Sequence, residues 1–400
     1  MTQISHAIRM AMVGGGPGSF IGPVHRMAAE LDGEVRLVAG AFSADPVKSV
    51  RAGEAYGIAP DRIYSTYEEM LERERKRDDR VDMVVIVTPN HLHYPIARAA
   101  LEAGFHVLSD KPATATLEEA LSIQELVRSS DRLYGLTYTY TGYPLIREAR
   151  NICLGGNLGG IRKVVVEYSQ GWLAERIEAT GAKQAVWRTD PAKAGIGGCI
   201  GDIGVHAFNL VEFVSGHRIV QICADVSTVV ANRALDDDCN VLLRLDNGAP
   251  GVLYASQIAA GERNGLRLRV YGEKGGLDWN QECPNQLLVN WLHQPSQIVH
   301  GAVNVEYLSD IARGSFRLPA GHPEGYIEAF ANLYRDFVCA IRALEGECAV
   351  GMSGNLVPSI DEGARGMAFV KFAIESSRDR IGWVNLPDIS TGSKKTRETL

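Results

Sequence analysis

The first third of the chain alternates short apolar runs with segments in which apolar residues recur every three to four positions. The short runs predict β-strands, and the periodic segments between them predict amphipathic helices. Met83–Val87 is apolar at every position, which is typical of a strand buried on both faces of a sheet. Strands that alternate with helices form a doubly wound parallel sheet of the α/β class. The predicted strands are Ile8–Val13, Val35–Ala41, Met83–Val87, His106–Ser109 and Leu133–Tyr138.

The pattern changes after Ile161, where longer β-rich runs are separated by turn residues. These runs predict an open, largely antiparallel sheet. His206–Val214 and Tyr326–Leu344 carry apolar stripes of helical period that we expect to cover one face of this sheet, and Glu362–Ser377 predicts a closing helix. The predicted strands are Arg162–Tyr168, Ile219–Val230, Cys239–Leu245, Gly251–Gln257, Leu266–Tyr271 and Gln286–Trp291.

The length of the chain divides this pattern into two domains. Its 400 residues exceed the roughly 250–300 at which one hydrophobic core stops growing. We expect a first domain at residues 1–141, an α+β second domain at residues 142–390, and a polar tail at residues 391–400.

Composition excludes several classes of partner. Lys and Arg number 41 against 48 Asp and Glu, a formal net charge of −7, which disfavours nucleic acid and anionic membranes because both bind clustered cations. The seven cysteines form no C-x-x-C pair, so we expect a reducing cytoplasm and neither a disulfide framework nor a metal site. No apolar run approaches the roughly 18 residues of a membrane span, so we expect neither export nor insertion.

A glycine-rich loop, residues 14–22, follows the first predicted strand and leads into a helix. Glycines there permit a tight turn and a close approach of backbone to a pyrophosphate, and the helix N-terminus offers N–H groups to the anion. The spacing is irregular, because Gly22 stands three residues later than the usual fingerprint, and the loop could simply connect strand to helix. Its position favours dinucleotide binding. The predicted contacts are Gly14, Gly16, Phe20 and Ile21.

The end of the second predicted strand bears on the choice between NAD and NADP. Ser43 stands where an acidic residue would bind the ribose 2′-hydroxyl of NAD. A hydroxyl with Lys48 and Arg51 nearby could receive a 2′-phosphate, which favours NADP modestly and leaves the choice open. We interpret Asp45 as the cap of the next helix, since Pro46 follows it.

Polar residues follow two further predicted strands. Thr88-Pro89-Asn90, with His93, comes after Met83–Val87, and Asp110-Lys111-Pro112 comes after His106–Ser109. Ligands bind outside the carboxyl ends of parallel strands, so both sets point at one crevice. A lysine at a strand end is more often a solvated surface charge.

Asp202 and His206 stand four residues apart at the start of a predicted helix in the second half. This spacing can place both side chains on one helix face, where the carboxylate could orient the imidazole. Alternatively Asp202 caps the helix and His206 is a packing residue. The spacing alone favours that alternative.

Taken together, these motifs resemble the glucose-fructose oxidoreductase / inositol dehydrogenase / MocA family of sugar and cyclitol dehydrogenases. The resemblance spans most of the chain, and it includes the glycine loop, Thr88-Pro89-Asn90 with His93, Asp110-Lys111-Pro112 in place of the family's usual Glu-Lys-Pro, and the Gly197–His206 segment. It implies a Rossmann domain that binds NAD or NADP. The implied cofactor contacts beyond the glycine loop are Ser43, Lys48, Thr88, Pro89, Asn90, His93 and Lys111.

The resemblance also implies a reaction and its catalytic residues. Hydride moves between the nicotinamide and a secondary hydroxyl of a sugar, glycoside or cyclitol, while a base exchanges the hydroxyl proton. His206 is the candidate base, Lys111 would stabilise the negative oxygen, and Asp202 would orient the imidazole or a second hydroxyl. Lys111 is the alternative candidate for the base.

Other residues are candidates for the substrate site. The segment from Tyr138 to Tyr143 is rich in tyrosine, and its rings could face a polyol or simply pack in the core. The substrate contacts we predict are Tyr138, Tyr140, Trp187 and Arg188.

Two other functions are compatible with the same resemblance. A dinucleotide-binding regulator without turnover, or a glycosidase that retains its NAD, would share the fold.

We expect a homodimer or homotetramer built through the free face of the second sheet, because an exposed apolar face is costly.

Overall fold

The computed structural model describes residues 6–346 and 356–389, so the predicted tail at residues 391–400 lies outside the described residues. The first sheet is parallel, with strand order β2-β1-β3-β4-β5. The predicted strands are all present, the last of them shortened by a 3₁₀ turn that begins at Thr139. The strands are β1 (Ile8–Gly14), β2 (Val35–Ala41), β3 (Met83–Val87), β4 (His106–Ser109) and β5 (Tyr134–Leu136).

Both faces of this sheet are buried, as the unbroken apolar run of β3 predicts. Val84 and Ile86 belong to one hydrophobic cluster, whereas Met83 and Val85 belong to another. Alternate side chains of a strand point to opposite faces, so the two clusters lie on the two sides of the sheet. The connecting helices are α1 (Ile21–Glu30), α2 (Pro46–Ala55), α3 (Tyr67–Glu74), α4 (His93–Glu102) and α5 (Leu117–Arg128).

The strand order creates a crevice between β1 and β3. From β1 the chain moves to β2 on one side of the sheet and then crosses to β3 on the other side. Such a reversal leaves the loops after the two central strands diverging, and ligands bind between them. The glycine loop follows β1 and Thr88-Pro89-Asn90 follows β3, so both predicted motifs border this crevice.

The second sheet has nine strands among the described residues, in the order β13-β12-β11-β10-β6-β9-β8-β7-β14. Only β6 and β9 pair in parallel among these strands, which confirms a largely antiparallel sheet. The strands are β6 (Ile161–Ser169), β7 (Ile219–Ser227), β8 (Asp238–Leu245), β9 (Pro250–Ser256), β10 (Gly265–Gly272), β11 (Gly275–Asn280), β12 (Gln286–Trp291), β13 (Gln297–His300) and β14 (Val384–Asn385).

Helices of the second half cover both sheets. The remaining helices are α6 (Pro144–Leu154), α7 (Lys183–Arg188), α8 (Pro191–Ala194), α9 (Val205–Ser215), α10 (Asp310–Arg313), α11 (Tyr326–Leu344) and α12 (Ile360–Arg378). The second sheet is contacted by α9 through its central strands and by α12 through β7. No helix among the described residues is both long enough and apolar enough to cross a lipid bilayer.

One predicted packing partner is wrong. The limits of α11 agree with the prediction, but the helix packs against α1 of the first domain instead of the second sheet. Its buried residues Phe330, Tyr334 and Val338 join the hydrophobic cluster that contains Met10 and Val24. An apolar stripe therefore predicts that a helix face is buried, but it does not say against which surface.

Candidate functional site

A cleft of about 1270 Å³ lies outside the carboxyl ends of β1 and β3, with walls from both halves of the chain. It is lined by ten of the predicted cofactor residues and by all three predicted catalytic residues. Those cofactor residues are Gly14, Gly16, Phe20, Ile21, Ser43, Lys48, Thr88, Pro89, Asn90 and Lys111. The catalytic residues are Lys111, Asp202 and His206.

The glycine loop keeps the close contacts that its sequence predicts despite the irregular spacing. A β-carbon on Gly16 would lie 2.5 Å from the Phe42 carbonyl oxygen, and one on Gly22 would lie 2.4 Å from the Gly15 α-carbon. Gly22 therefore brings α1 against the loop, as the third glycine of the usual fingerprint does. The chain turns at Pro17 and Gly18 before the helix, and Ser19 Oγ accepts the Gly22 N–H at 3.2 Å.

Two cationic side chains border the cleft at the end of β2. Lys48 and Arg51 of α2 line it together with Ser43. Lys48 also pairs with Asp45 at 3.6 Å. Asp45 Oδ1 accepts the Val47 and Lys48 N–H groups, so this residue caps α2 as predicted.

His93 differs from the prediction because it does not line the cleft. Its side chain is fully buried, with Nδ1 2.7 Å from the Pro112 carbonyl oxygen and Nε2 2.9 Å from the Thr88 carbonyl oxygen. In place of the predicted cofactor contact, His93 therefore lies against the backbone carbonyls of both strand-end loops and can donate to one of them. Asn90 lines the cleft but also donates to the Ala194 carbonyl at 2.9 Å, joining the two halves of the chain.

Asp202 is the centre of a charged cluster in the cleft. Lys111 Nζ donates to Asp202 Oδ1 at 2.7 Å, and Arg188 Nε and Gln257 Nε2 donate to Oδ2 at 3.2 and 2.9 Å. Burial would raise the pKa of Asp202, but the positive charges of Lys111 and Arg188 hold this pKa well below its ordinary value. Asp202 is therefore a carboxylate that anchors two cations.

His206 lies on α9 beside this cluster, and its side chain is buried among tyrosines. The Tyr140 and Tyr138 rings meet the imidazole edge to face, at centroid distances of 4.9 and 5.6 Å. Its Nδ1 is buried and has no hydrogen-bond partner among the described residues. The predicted hydrogen bond by which Asp202 would orient the imidazole through this atom is therefore absent among these residues. Burial and the charge of Lys111 lower the pKa of His206 well below its ordinary value, against the opposing effect of Asp202. The imidazole is therefore neutral at pH 7.

The predicted substrate residue Tyr138 lies behind His206 and not at the cleft wall. A β-carbon on Gly366 would lie 2.7 Å from its hydroxyl oxygen, so the tyrosine is enclosed against α12. Tyr140, by contrast, lines the cleft. The sequence did not indicate which of the two tyrosines lines the cleft, because both lie in one short tyrosine-rich segment.

A polar network that the sequence did not predict continues the wall beside Tyr140. Tyr168 at the end of β6 bonds to the Tyr140 hydroxyl and donates to Asn264 Oδ1 at 2.8 Å. Gln170 Nε2 donates to the same Asn264 oxygen at 2.8 Å. These polar residues belong to no sequence motif. They come together only because the second sheet places the ends of their strands side by side.

The short helix α7 completes the opposite wall of the cleft. The Arg188 guanidinium carbon lies 4.2 Å from the Trp187 ring centre and 5.8 Å from that of Trp172. Arg188 also donates to Gln184 Oε1 at 2.7 Å. These contacts hold the guanidinium against Asp202, and both predicted residues of α7, Trp187 and Arg188, line the cleft.

Comparison with known proteins identifies the family. A model of the oxidoreductase family with NAD-binding Rossmann fold matches residues 8–138, and a model of the GFO/IDH/MocA C-terminal domain matches residues 146–278. The uncharacterized oxidoreductase YfiI of Bacillus subtilis is 35% identical over 95% of this chain and 97% of its own length. The chain belongs to the GFO/IDH/MocA oxidoreductase family. Levoglucosan dehydrogenase of Pseudarthrobacter phenanthrenivorans is 26% identical over 96% of this chain and 99% of its own length.

Solved structures of GFO/IDH/MocA-type proteins agree with this fold. The inositol dehydrogenase homologue of Azotobacter vinelandii, complexed with NADH and myo-inositol, is 38% identical over 96% of this chain and 98% of that chain, with a TM-score of 0.88. A complex of the same homologue with NAD⁺ gives a TM-score of 0.91. The protein is an oxidoreductase whose first domain is an NAD-binding Rossmann domain.

The residues of this GFO/IDH/MocA member fit the cofactor. Gly16 has no space for a side chain, so only its backbone is available to a pyrophosphate at this point of the cleft. Thr88 lines the cleft and its Oγ1 is buried without a partner among the described residues, which leaves a donor and acceptor for the ligand. Asp110 stands in place of the family's usual Glu, and its Oδ1 accepts hydrogen bonds from the Lys111 N–H at 2.8 Å and the Thr137 hydroxyl at 3.1 Å.

Proposed function

We propose that this protein is an NAD-dependent dehydrogenase that oxidises a secondary hydroxyl of an uncharged sugar, glycoside or cyclitol. The observation that carries the proposal is the balance of charge at the reaction centre. Lys111 and Arg188 contribute two positive charges, and Asp110 and Asp202 contribute two negative charges to the same part of the cleft. A carboxylate or phosphate substrate would meet no surplus cation there.

The remaining walls suit a ring with many hydroxyl groups. Trp172, Trp187 and Tyr140 offer flat apolar surfaces for the C–H face of a ring. Gln170 and Asn264 offer amide groups for its hydroxyls, and few such polar groups are enough to orient a small ligand. The relatives support the same class, since one is complexed with myo-inositol and another is a levoglucosan dehydrogenase.

The catalytic steps follow from the protonation states of the cluster. The nicotinamide, when bound, accepts a hydride at its C4 atom. The neutral His206 accepts the hydroxyl proton of the substrate, because its lowered pKa leaves a nitrogen lone pair available at pH 7. Lys111 Nζ donates a hydrogen bond to the same oxygen as negative charge develops there. Asp202 keeps Lys111 and Arg188 in place and can bind a neighbouring hydroxyl.

The test is NAD⁺ reduction with a panel of matched substrates. We expect absorbance from NADH to grow over many turnovers with at least one cyclitol, anhydrosugar or neutral sugar. The uronate or the phosphate ester of the same sugar should give less than about a tenth of its kcat/KM, because each adds an uncompensated charge. NADH binding without any turnover would instead support a regulator. Cleavage of a glycoside without net NADH would support a glycosidase that retains its cofactor.

We also propose that the free face of the second sheet joins copies of the chain into a homodimer or homotetramer in the cytoplasm. Leu242 of β8 and Ile298 of β13 are about half exposed, and Tyr271 of β10 is exposed as well. The cytoplasm is proposed because the cysteine pattern suits a reducing compartment. Light scattering at micromolar concentration should give two or four times the 43.5 kDa chain mass, and a monomer would contradict the assembly.

A further inference from the structure

Helix α7 belongs to the second half of the chain, yet its first residue reaches the glycine loop of the first domain. Lys183 Nζ donates to the Pro17 carbonyl oxygen at 2.9 Å. The same nitrogen is 3.7 Å from the place where a β-carbon of Gly18 would stand, so it lies directly against the loop. Lys183 also lines the cleft.

The glycine loop itself supplies no positive charge. Residues 14–22 contain neither Lys nor Arg, so the loop can offer only backbone N–H groups and the N-terminus of α1 to a pyrophosphate. A dinucleotide pyrophosphate carries two negative charges. A cation close to this loop would stabilise them by direct charge-assisted hydrogen bonds.

The other cationic side chains of the cleft bind Asp202 or lie at the end of β2. Lys111 and Arg188 both donate to Asp202. Lys48 and Arg51 lie on α2, beside Ser43 at the end of β2. Among the described residues that line the cleft, Lys183 is therefore the cation that hydrogen-bonds to the glycine loop.

We propose that Lys183 is a cofactor-binding residue, which the substrate domain contributes to the pyrophosphate of the dinucleotide. An ammonium group has three N–H donors, so Lys183 can bind a phosphate oxygen while it keeps or releases the Pro17 carbonyl. The contact would hold α7 where the structure has it, against the glycine loop. The inference rests on NAD binding in the first domain, which the family assignment supplies.

The position of α7 gives this contact a second consequence. The same helix carries Trp187 and Arg188, which line the substrate part of the cleft, and Arg188 donates to Asp202. A cofactor that fixes Lys183 also fixes the wall against which the substrate binds.

The test compares Lys183→Gln with the wild type in fluorescence and calorimetric titrations of NADH, ADP-ribose and adenosine. We expect the dissociation constants of NADH and ADP-ribose to rise about tenfold each, because one charge-assisted hydrogen bond to phosphate is lost. Adenosine lacks phosphate, so its affinity should not change. Lys183→Arg should retain most of the affinity, and rising salt should weaken NADH binding less steeply in Lys183→Gln than in the wild type.

Lys193→Gln is the matched control on the same segment. Lys193 pairs with Asp190 at 2.9 Å and does not line the cleft, so this variant should bind NADH as the wild type does. Unchanged NADH affinity in Lys183→Gln would overturn the inference, and so would an equal loss for adenosine. Failure of the wild type to bind NADH would instead contradict the cofactor assignment itself.

Discussion

Replacing His206 with glutamine should lower kcat/KM for the oxidised polyol about a thousandfold while the dissociation constant of NADH changes less than twofold. Glutamine has a similar size and retains hydrogen-bonding groups, but it cannot take up a proton. His206 is only 8% exposed, and its burial together with the charge of Lys111 keeps the imidazole neutral. Steady-state rates with saturating NAD⁺ and a separate NADH titration measure the two quantities.

His91→Gln is the matched control for this substitution. His91 follows β3 close to the cleft but does not line it, so its replacement should leave kcat/KM within about threefold of the wild type. If His206→Gln kept more than a tenth of the wild-type kcat/KM, His206 would not be the base, and Lys111 would be the remaining candidate.

The elements of the first sheet were predictable because burial on two faces leaves a strong local pattern. Met83–Val87 is apolar throughout, and the structure has β3 at these residues. In the second sheet, β11 was missed because Gly275 and Gly276 indicate a turn in isolation, although they begin a strand that pairs with β10. Strand pairing is a long-range property, and local sequence specifies it only weakly.

Ordered motifs predicted that the three candidate catalytic residues share one cleft, whereas they did not predict the neighbours of these residues. Lys111 and Asp202 are 91 positions apart, yet their side chains meet at 2.7 Å. Gln257, which also holds Asp202, lies just after β9 and belongs to no motif. His93 was predicted at the cofactor because of its motif, but spacing does not say whether a side chain faces the cleft or the loops behind it.

The proposed mechanism gives Lys111 two effects on the reaction, which a pair of substitutions can separate. In the proposed mechanism its Nζ donates a hydrogen bond to the reacting oxygen, and its positive charge also lowers the pKa of His206. His206 accepts a proton only while it is neutral, so kcat/KM for the polyol falls as the pH drops below the pKa of His206 in the enzyme–cofactor complex. Removing the positive charge raises this pKa toward the ordinary value for histidine, because burial then acts against the carboxylate of Asp202 alone.

Lys111→Met should therefore lower kcat/KM at least about a hundredfold and also move the acid limb of the kcat/KM–pH profile to higher pH. Lys111→Arg keeps the positive charge, so its acid limb should stay near that of the wild type even where the altered geometry reduces the rate. Rates measured from pH 5 to pH 9 with a saturating cofactor would test both variants. An acid limb that does not move in Lys111→Met, or that moves equally in Lys111→Arg, would show that the charge of Lys111 does not set the proton affinity of His206. The loss of rate would then reflect the lost hydrogen bond alone.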